Sequence, residues 1–236
     1  MYKTIFLCLC CIVVCSSSMP VIHDVIVLGD SRAAGFYVND AGVGREGNGW
    51  PRMLERQLGT GWQVRNFSIR GARISAAVDF LRAHPSLRPT AVVLQYGWNE
   101  AAKIQLGRFP VPSQDEWRAA LREVQEWCRA RNAQLIVLDA PSPAYYEGHP
   151  GGQFVAQLFG CNNSGEVIDR NRALQAAARE VLGPAFMDTG LTVEDFPPSD
   201  FVHPNLSGHK RIEAAVEAAI RARMCRPQTD GALAEQ

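Results

Sequence analysis

Ser31 closes the triplet Gly29-Asp30-Ser31, and far downstream Asp200-Phe201-Val202-His203 supplies the two residue types that can activate it. A serine hydroxyl is a weak nucleophile at neutral pH. It needs a neutral imidazole to take its proton and a carboxylate to fix the tautomer of that imidazole. Ser31, His203 and Asp200 can fill those positions, and the chemistry they would perform is acyl transfer through a serine. Either half alone is ordinary, since Gly-Asp-Ser also serves as turn chemistry and an Asp three residues before a His arises easily by chance. Placement sets them apart. Ser31 follows the apolar run Val25-Ile26-Val27-Leu28 and precedes Ala33-Ala34-Gly35-Phe36. That reads as a parallel strand turning into a helix at the carboxyl edge of an α/β sheet, the edge where such folds hold ligands. The start of the expected helix would add unpaired N–H groups and a positive dipole end for a developing oxyanion. His203 is biased toward an extended conformation by Pro204, and residues 206–224 then read as a helix with Ile212, Val216, Ala219 and Ile220 on one face.

Two further segments end short apolar runs in the same way. In Val64-Arg65-Asn66-Phe67-Ser68-Ile69-Arg70-Gly71-Ala72, Gly71 has no side chain and can bring its backbone N–H close to a substrate. In Ala91-Val92-Val93-Leu94-Gln95-Tyr96-Gly97-Trp98-Asn99-Glu100, a strand delivers the Asn99 amide to that edge. Acyl transfer needs several donors aimed at the tetrahedral oxyanion, each worth roughly 3 kcal/mol. The N–H of Ser31, the N–H of Gly71 and the Asn99 side chain can be those donors.

These four blocks resemble the SGNH hydrolases, also called the GDSL esterase/lipase family, whose name records Ser, Gly, Asn and His. Here they stand as Ser31 in Gly-Asp-Ser, Gly71, Asn99 in Gly-Trp-Asn, and His203 in Asp-Phe-Val-His, in the family's order and across residues 24 to 222. The resemblance implies a three-layer α/β/α flavodoxin-like fold with a parallel, doubly wound sheet. It also implies a Ser31–His203–Asp200 triad and an oxyanion hole from Ser31, Gly71 and Asn99. Its third block usually reads Gly-x-Asn-Asp, whereas Glu100 stands here in place of the aspartate, so the local support of Asn99 is open. Trp98, between two block residues, is expected to line the acyl or alcohol site; the alternative is that its ring packs under the strand end. Asp30 is expected to bind backbone N–H groups of its own turn. His23, His84, His149 and His209 read as surface or capping residues.

Strands alternating with helical patterns fit that fold. Ser113-Gln114-Asp115-Glu116 is a capping box, followed by Trp117, Leu121, Val124 and Cys128 at helical spacing. Residues 134–138 read as a strand, 166–182 as a helix ended near Gly183-Pro184, and 185–187 as a short last strand. The stretches 39–50 and 141–164 read as loops walling the cleft.

With 236 residues, 47% of them hydrophobic, the chain is long enough for one domain with a full core. Its 24 basic and 24 acidic residues balance, so nothing argues for nucleic acid or an anionic membrane surface, and no nucleic-acid partner is expected. Lys3, the apolar stretch from Ile5 to Val14 and Ser16-Ser17-Ser18 read as a secretory signal over 1–18, too short to span a bilayer. A hydrolase domain over 19–226 and a disordered tail over 227–236 complete the expected organisation. Secretion or a periplasmic location follows, and lipid anchoring through Cys15 is the alternative. Of the three cysteines after the leader, an odd number, two can pair in an oxidising compartment; the pairing is open, with Cys161–Cys225 one choice and Cys128 read as a buried helix residue. No zinc or metalloprotease spacing is present, and no cofactor is expected.

The functional expectation is a secreted serine esterase acting on acetylated carbohydrate or short-chain acyl and lipid esters. The alternatives are an O-acyltransferase using the same residues and a non-catalytic carbohydrate- or lipid-binding protein on the same fold. A flavodoxin-like nucleotide binder is set aside, because no Gly-x-Gly-x-x-Gly follows the first strand.

Overall fold

The computed structural model describes residues 22–39, 42–44, 49–102, 111–141, 164–197 and 202–225. The expected leader with Cys15, the tail, Asp200, and Tyr145, Tyr146, His149 and Cys161 of the second loop lie outside the described residues.

β-Branched and aliphatic runs form a five-stranded parallel sheet of β1 (His23–Gly29), β4 (Trp62–Asn66), β5 (Ala91–Gln95), β6 (Gln134–Leu138) and β7 (Phe186–Met187). Their order across the sheet is β4-β1-β5-β6-β7. Counting only the parallel strands, this is the 2-1-3-4-5 order of a flavodoxin-like doubly wound fold. The chain leaves β1 in one direction toward β4 and returns past it to β5, so a crevice opens where the carboxyl ends of β1 and β5 diverge. Ser31 follows β1 and Asn99 follows β5. A small antiparallel pair, β2 (Tyr37–Asn39) and β3 (Gly42–Gly44), stands apart from the sheet.

Both faces of the sheet are covered, which is why β5 is buried along its whole length instead of alternating. Against one face pack α1 (Trp50–Leu58) and the last helix, α6 (Leu206–Met224), whose Leu54, Ile212, Val216 and Ile220 meet Val25, Val27, Val93 and Ile136. Against the other pack α2 (Ile74–Ala83), α4 (Gln114–Arg129) and α5 (Ser164–Leu182), whose Leu81, Leu121 and Ala177 meet Ile26, Leu28, Val92 and Leu94. The capping box at Ser113 forms: its hydroxyl accepts from Glu116 N at 3.2 Å, and Ser113 N donates back to the Glu116 carboxylate at 2.7 Å. Trp117, Leu121, Val124 and Cys128 are all buried behind it, as the helical spacing predicts. The predicted helix over 206–224 and strand over 134–138 are present with those bounds.

Two expectations change. Ser31 is not followed directly by a helix: residues 31–35 form a single turn, with Ala34 N and Phe36 N donating to the Asp30 and Ser31 carbonyls, and among the described residues the next helix begins at Trp50. Gly35 ends that turn with φ at +87°, a left-handed conformation that a helix cannot continue through. The helix-dipole contribution expected at Ser31 is therefore absent. Cys225 is an exposed free thiol where half of a disulfide was expected. Cys128 is free and buried, and burial pushes its thiol up to about 12. Among the described residues no helix is long and apolar enough to cross a membrane, and no group of His, Cys, Asp and Glu could hold a metal ion.

Candidate active site

Gly29 fixes where the serine stands. A Cβ at this position would lie 2.4 Å from Ala33 Cβ and 2.7 Å from the Gln95 carbonyl oxygen, so only glycine lets the turn fold back onto the end of β5. Asp30 N donates to that same carbonyl at 3.2 Å. The Asp30 side chain, 1% exposed, accepts from Arg32 N at 2.9 Å, as expected of a turn-forming carboxylate. Burial raises the Asp30 pKa, and the nearby Arg32 and His203 partly offset that rise.

Above this turn Ser31 and His203 meet, with Ser31 Oγ 2.8 Å from His203 Nε2. With the proton on Nδ1, the imidazole accepts the hydroxyl proton at Nε2. The Phe36 ring lies 5.9 Å from that of His203. Pro204 and the cap of α6 follow at once: the Asn205 side chain accepts from Gly208 N at 3.0 Å, which anchors the helix start that carries the histidine's segment.

The expected donors gather on the same edge. Gly71 adopts φ at +73° and Gly97 φ at +122°, both left-handed, so each bends the chain sharply just after a strand. Asn99 sits not on the strand itself but on the one-turn helix α3 (Trp98–Ala101). One proton of its amide goes to the Ala72 carbonyl at 2.9 Å, which ties it to the bend that contains Gly71. An amide nitrogen has two protons, so the second is available for a ligand. Among the described residues, neither Ser31 N–H nor Gly71 N–H has a hydrogen-bond acceptor.

Glu100 supplies the support that the replaced aspartate left open. Its carboxylate accepts from Ile74 N at 2.8 Å and from Gly97 N at 3.0 Å, joining the first residue of α2 to the turn before Asn99. Once ionised, this group also complements the dipole at the start of α2. Burial pushes the Glu100 pKa up to about 7 from 4.5. The folded chain therefore keeps this proton to about pH 7 whereas the unfolded chain releases it near 4.5, so this group's contribution to stability falls as pH rises through that window. Glu100→Gln is expected to remove that slope, and melting temperatures of variant and wild type between those limits check it.

His209 departs from its surface expectation. It is fully buried; Nδ1 accepts from Trp50 N at 3.2 Å and Nε2 donates to the Phe36 carbonyl at 2.8 Å. Burial lowers its pKa to about 4, so it is a neutral strut between α1, α6 and the end of the nucleophile turn. Trp98, 1% exposed, lies in the core with the Arg32 guanidinium 5.0 Å from its ring, which is the packing alternative and not an open cleft wall. Arg32 itself, wholly buried, is the residue that sequence reasoning passed over; a lone charge inside the small-residue stretch after Ser31 was its signal. A cleft of 320 Å³ opens beside Ala34 and Gly35 of the turn and is walled by Asn66, Ser68, and the ion-paired Arg52 and Glu55.

A serine and an imidazole in hydrogen-bond contact at the switch point of a doubly wound sheet mark an ester-hydrolysing serine hydrolase. The model of the GDSL-like lipase/acylhydrolase family matches residues 27–211, and the chain belongs to that family. Several solved structures share the fold. The native aryl esterase of M. smegmatis superposes with a TM-score of 0.60 at 15% identity, covering 85% of this chain and 99% of its own. Est24, a carbohydrate acetylesterase from Sinorhizobium meliloti, gives 0.61 at 14% identity over 85% and 99%. A lipase/acylhydrolase from Enterococcus faecalis gives 0.60 at 18% identity over 86% and 97%. No curated protein sequence matches the chain.

Proposed function

We propose that this chain is a secreted serine esterase that works through an acyl-enzyme. The observation that carries the reading is the 2.8 Å contact between Ser31 Oγ and His203 Nε2 at the carboxyl edge of the sheet. In that reading Ser31 attacks the ester carbonyl as its proton passes to His203 Nε2, and Asp200 holds the Nδ1 proton that keeps the imidazole in the accepting tautomer. The oxyanion is met by Ser31 N–H, Gly71 N–H and the free proton of the Asn99 amide. His203 then returns the proton to the leaving alkoxide, and water repeats both steps to release the acid. Secretion rests on the basic and apolar pattern of the first 18 residues.

The substrate reading is a short acyl group on a hydroxylated alcohol. The cleft beside the nucleophile turn has a mixed lining, with Arg52, Glu55, Asn66 and Ser68 beside Ala34, Gly35, Pro51 and Val64, and its polar groups give a hydroxylated alcohol hydrogen-bond partners. The likeness to an aryl esterase and a carbohydrate acetylesterase supports the same range. The test is a series of p-nitrophenyl esters from acetyl to palmitoyl, with acetylated xylan as a natural-type substrate and Ser31 labelling by a fluorophosphonate. Activity greatest at the shortest acyl chains, with release of acetate from xylan, is expected. A maximum at long chains would replace this substrate class by lipids. Labelling of Ser31 without hydrolysis, but with acyl transfer to an added sugar, would favour the transferase alternative.

A further inference from the structure

Arg32 follows the nucleophile directly, yet its side chain is buried completely, an expensive placement for a guanidinium unless its donors are used. Its Nε donates to the Val202 carbonyl at 2.8 Å, one residue before His203. Its Nη1 lies 3.5 Å from the Pro141 carbonyl beyond the end of β6. The planar group lies 5.4 Å from the Phe196 ring on one side of the site and 5.0 Å from the Trp98 ring, which adjoins Asn99. Phe196 and Val202 flank the segment that carries Asp200. The backbone N–H of Arg32 is meanwhile fixed by Asp30, within the turn that presents Ser31. One side chain thus joins the nucleophile turn to both flanks of the Asp200 segment and to the block that bears Asn99. An apolar residue of similar length would fill the same space with no directional bond to Val202.

We propose that Arg32 is a positioning residue that sets the distance and bearing of His203 from Ser31 by holding Val202 and Phe196 on either side of the Asp200 segment. The proposal rests on the serine-esterase reading. Its physical basis is that proton transfer between Ser31 and His203 requires close alignment, and a displacement of about 1 Å can cost on the order of 100-fold in rate. A Lys at this position keeps the charge and the contact with the rings. It has no planar fork to reach the Val202 carbonyl while keeping both ring contacts.

The test compares Arg32→Met and Arg32→Lys with wild type on p-nitrophenyl acetate, alongside melting temperatures and the rate of Ser31 labelling by a fluorophosphonate. For Arg32→Met, kcat is expected to fall roughly 10- to 100-fold with KM within about threefold, and labelling to slow by a similar factor, because the misaligned step is proton transfer and not binding. Arg32→Lys should fall between wild type and Arg32→Met. Made in the His203→Ala background, Arg32→Met should cost nothing further, since there is no imidazole left to position. A folded Arg32→Met with kcat within about twofold of wild type would overturn the proposal, as would equal losses in both backgrounds. If Arg32→Met does not fold, Arg32→Lys decides by the same criterion. Equal hydrolysis by wild type and Ser31→Ala would instead remove the esterase reading, and the positioning role with it.

Discussion

Ser31→Ala is expected to lower kcat by roughly 10⁴- to 10⁶-fold with little change in KM or melting temperature. In the proposed mechanism the covalent step has no other nucleophile, whereas ground-state binding does not depend on the Ser31 oxygen. The serine is 7% exposed, and losing one oxygen leaves no cavity worth a large stability change. His203→Ala should cost a similar factor, because an unassisted hydroxyl is scarcely better than none. The informative result is the double variant. Two groups that act in one proton transfer fail together, so Ser31→Ala with His203→Ala should be no slower than the worse single variant. Steady-state rates on p-nitrophenyl acetate read all three. Losses that multiply would mean that the pair contributes through separate effects, and the 2.8 Å contact would then not be a catalytic one.

The residues of the proposed site were legible because chemistry restricts residue type: a nucleophile, its base and oxyanion donors leave few substitutes, and Ser31 and Asn99 closely follow readable strands. The supporting shell was not legible, for a physical reason. Arg32, Glu100 and His209 are buried polar groups whose partners come from distant positions in the chain, such as the bonds of Arg32 to Val202 and of His209 to Trp50. Periodicity reports which face of an element is apolar. It says nothing of a guanidinium or imidazole whose burial is allowed only because a carbonyl from another loop accepts its proton. Glu100 shows both sides. Its departure from the usual aspartate was visible, while its role as a clamp between Ile74 and Gly97 needed the approach of two loops.

The helices and strands followed from pattern where caps and runs agreed, as at Ser113 and along β6. The strand order follows from the same patterns only by way of topology rules, since nothing local tells β1 that its neighbours are β4 and β5. The expected helix after Ser31 failed on one residue. Ala33 and Ala34 favour a helix, but Gly35 at positive φ stops the turn before a second can form. That failure has a functional side. Without a helix, the N–H groups near Ser31 bring only local dipoles to an oxyanion, so in the proposed mechanism more of the stabilisation falls to Gly71 and Asn99.

Asn99→Ala accordingly has the second largest expected effect, a fall in kcat of roughly 100- to 1,000-fold, or about 3 to 4 kcal/mol of transition-state stabilisation, with KM near wild type. The charge that the amide meets exists only in the tetrahedral state, so the ground state loses little. One complication is structural. The same amide donates to the Ala72 carbonyl, and its removal leaves a buried acceptor unpaired at a cost of about 1 to 3 kcal/mol in stability. Asn99→Asp loses the bond to Ala72 as well, so the two variants share that structural cost and differ in volume and in what faces the oxyanion. Asn99→Asp has nearly the same volume as wild type, so packing is kept, but its oxygens face a developing negative charge and cannot donate. If the amide's second proton serves the oxyanion, Asn99→Asp should be at least as slow as Asn99→Ala. A rate restored toward wild type in Asn99→Asp would show that volume at this position matters and the donor does not. Measured well below both melting temperatures, kcat and KM for the two variants distinguish these outcomes. In the second outcome the oxyanion would be left to the backbone N–H groups of Ser31 and Gly71.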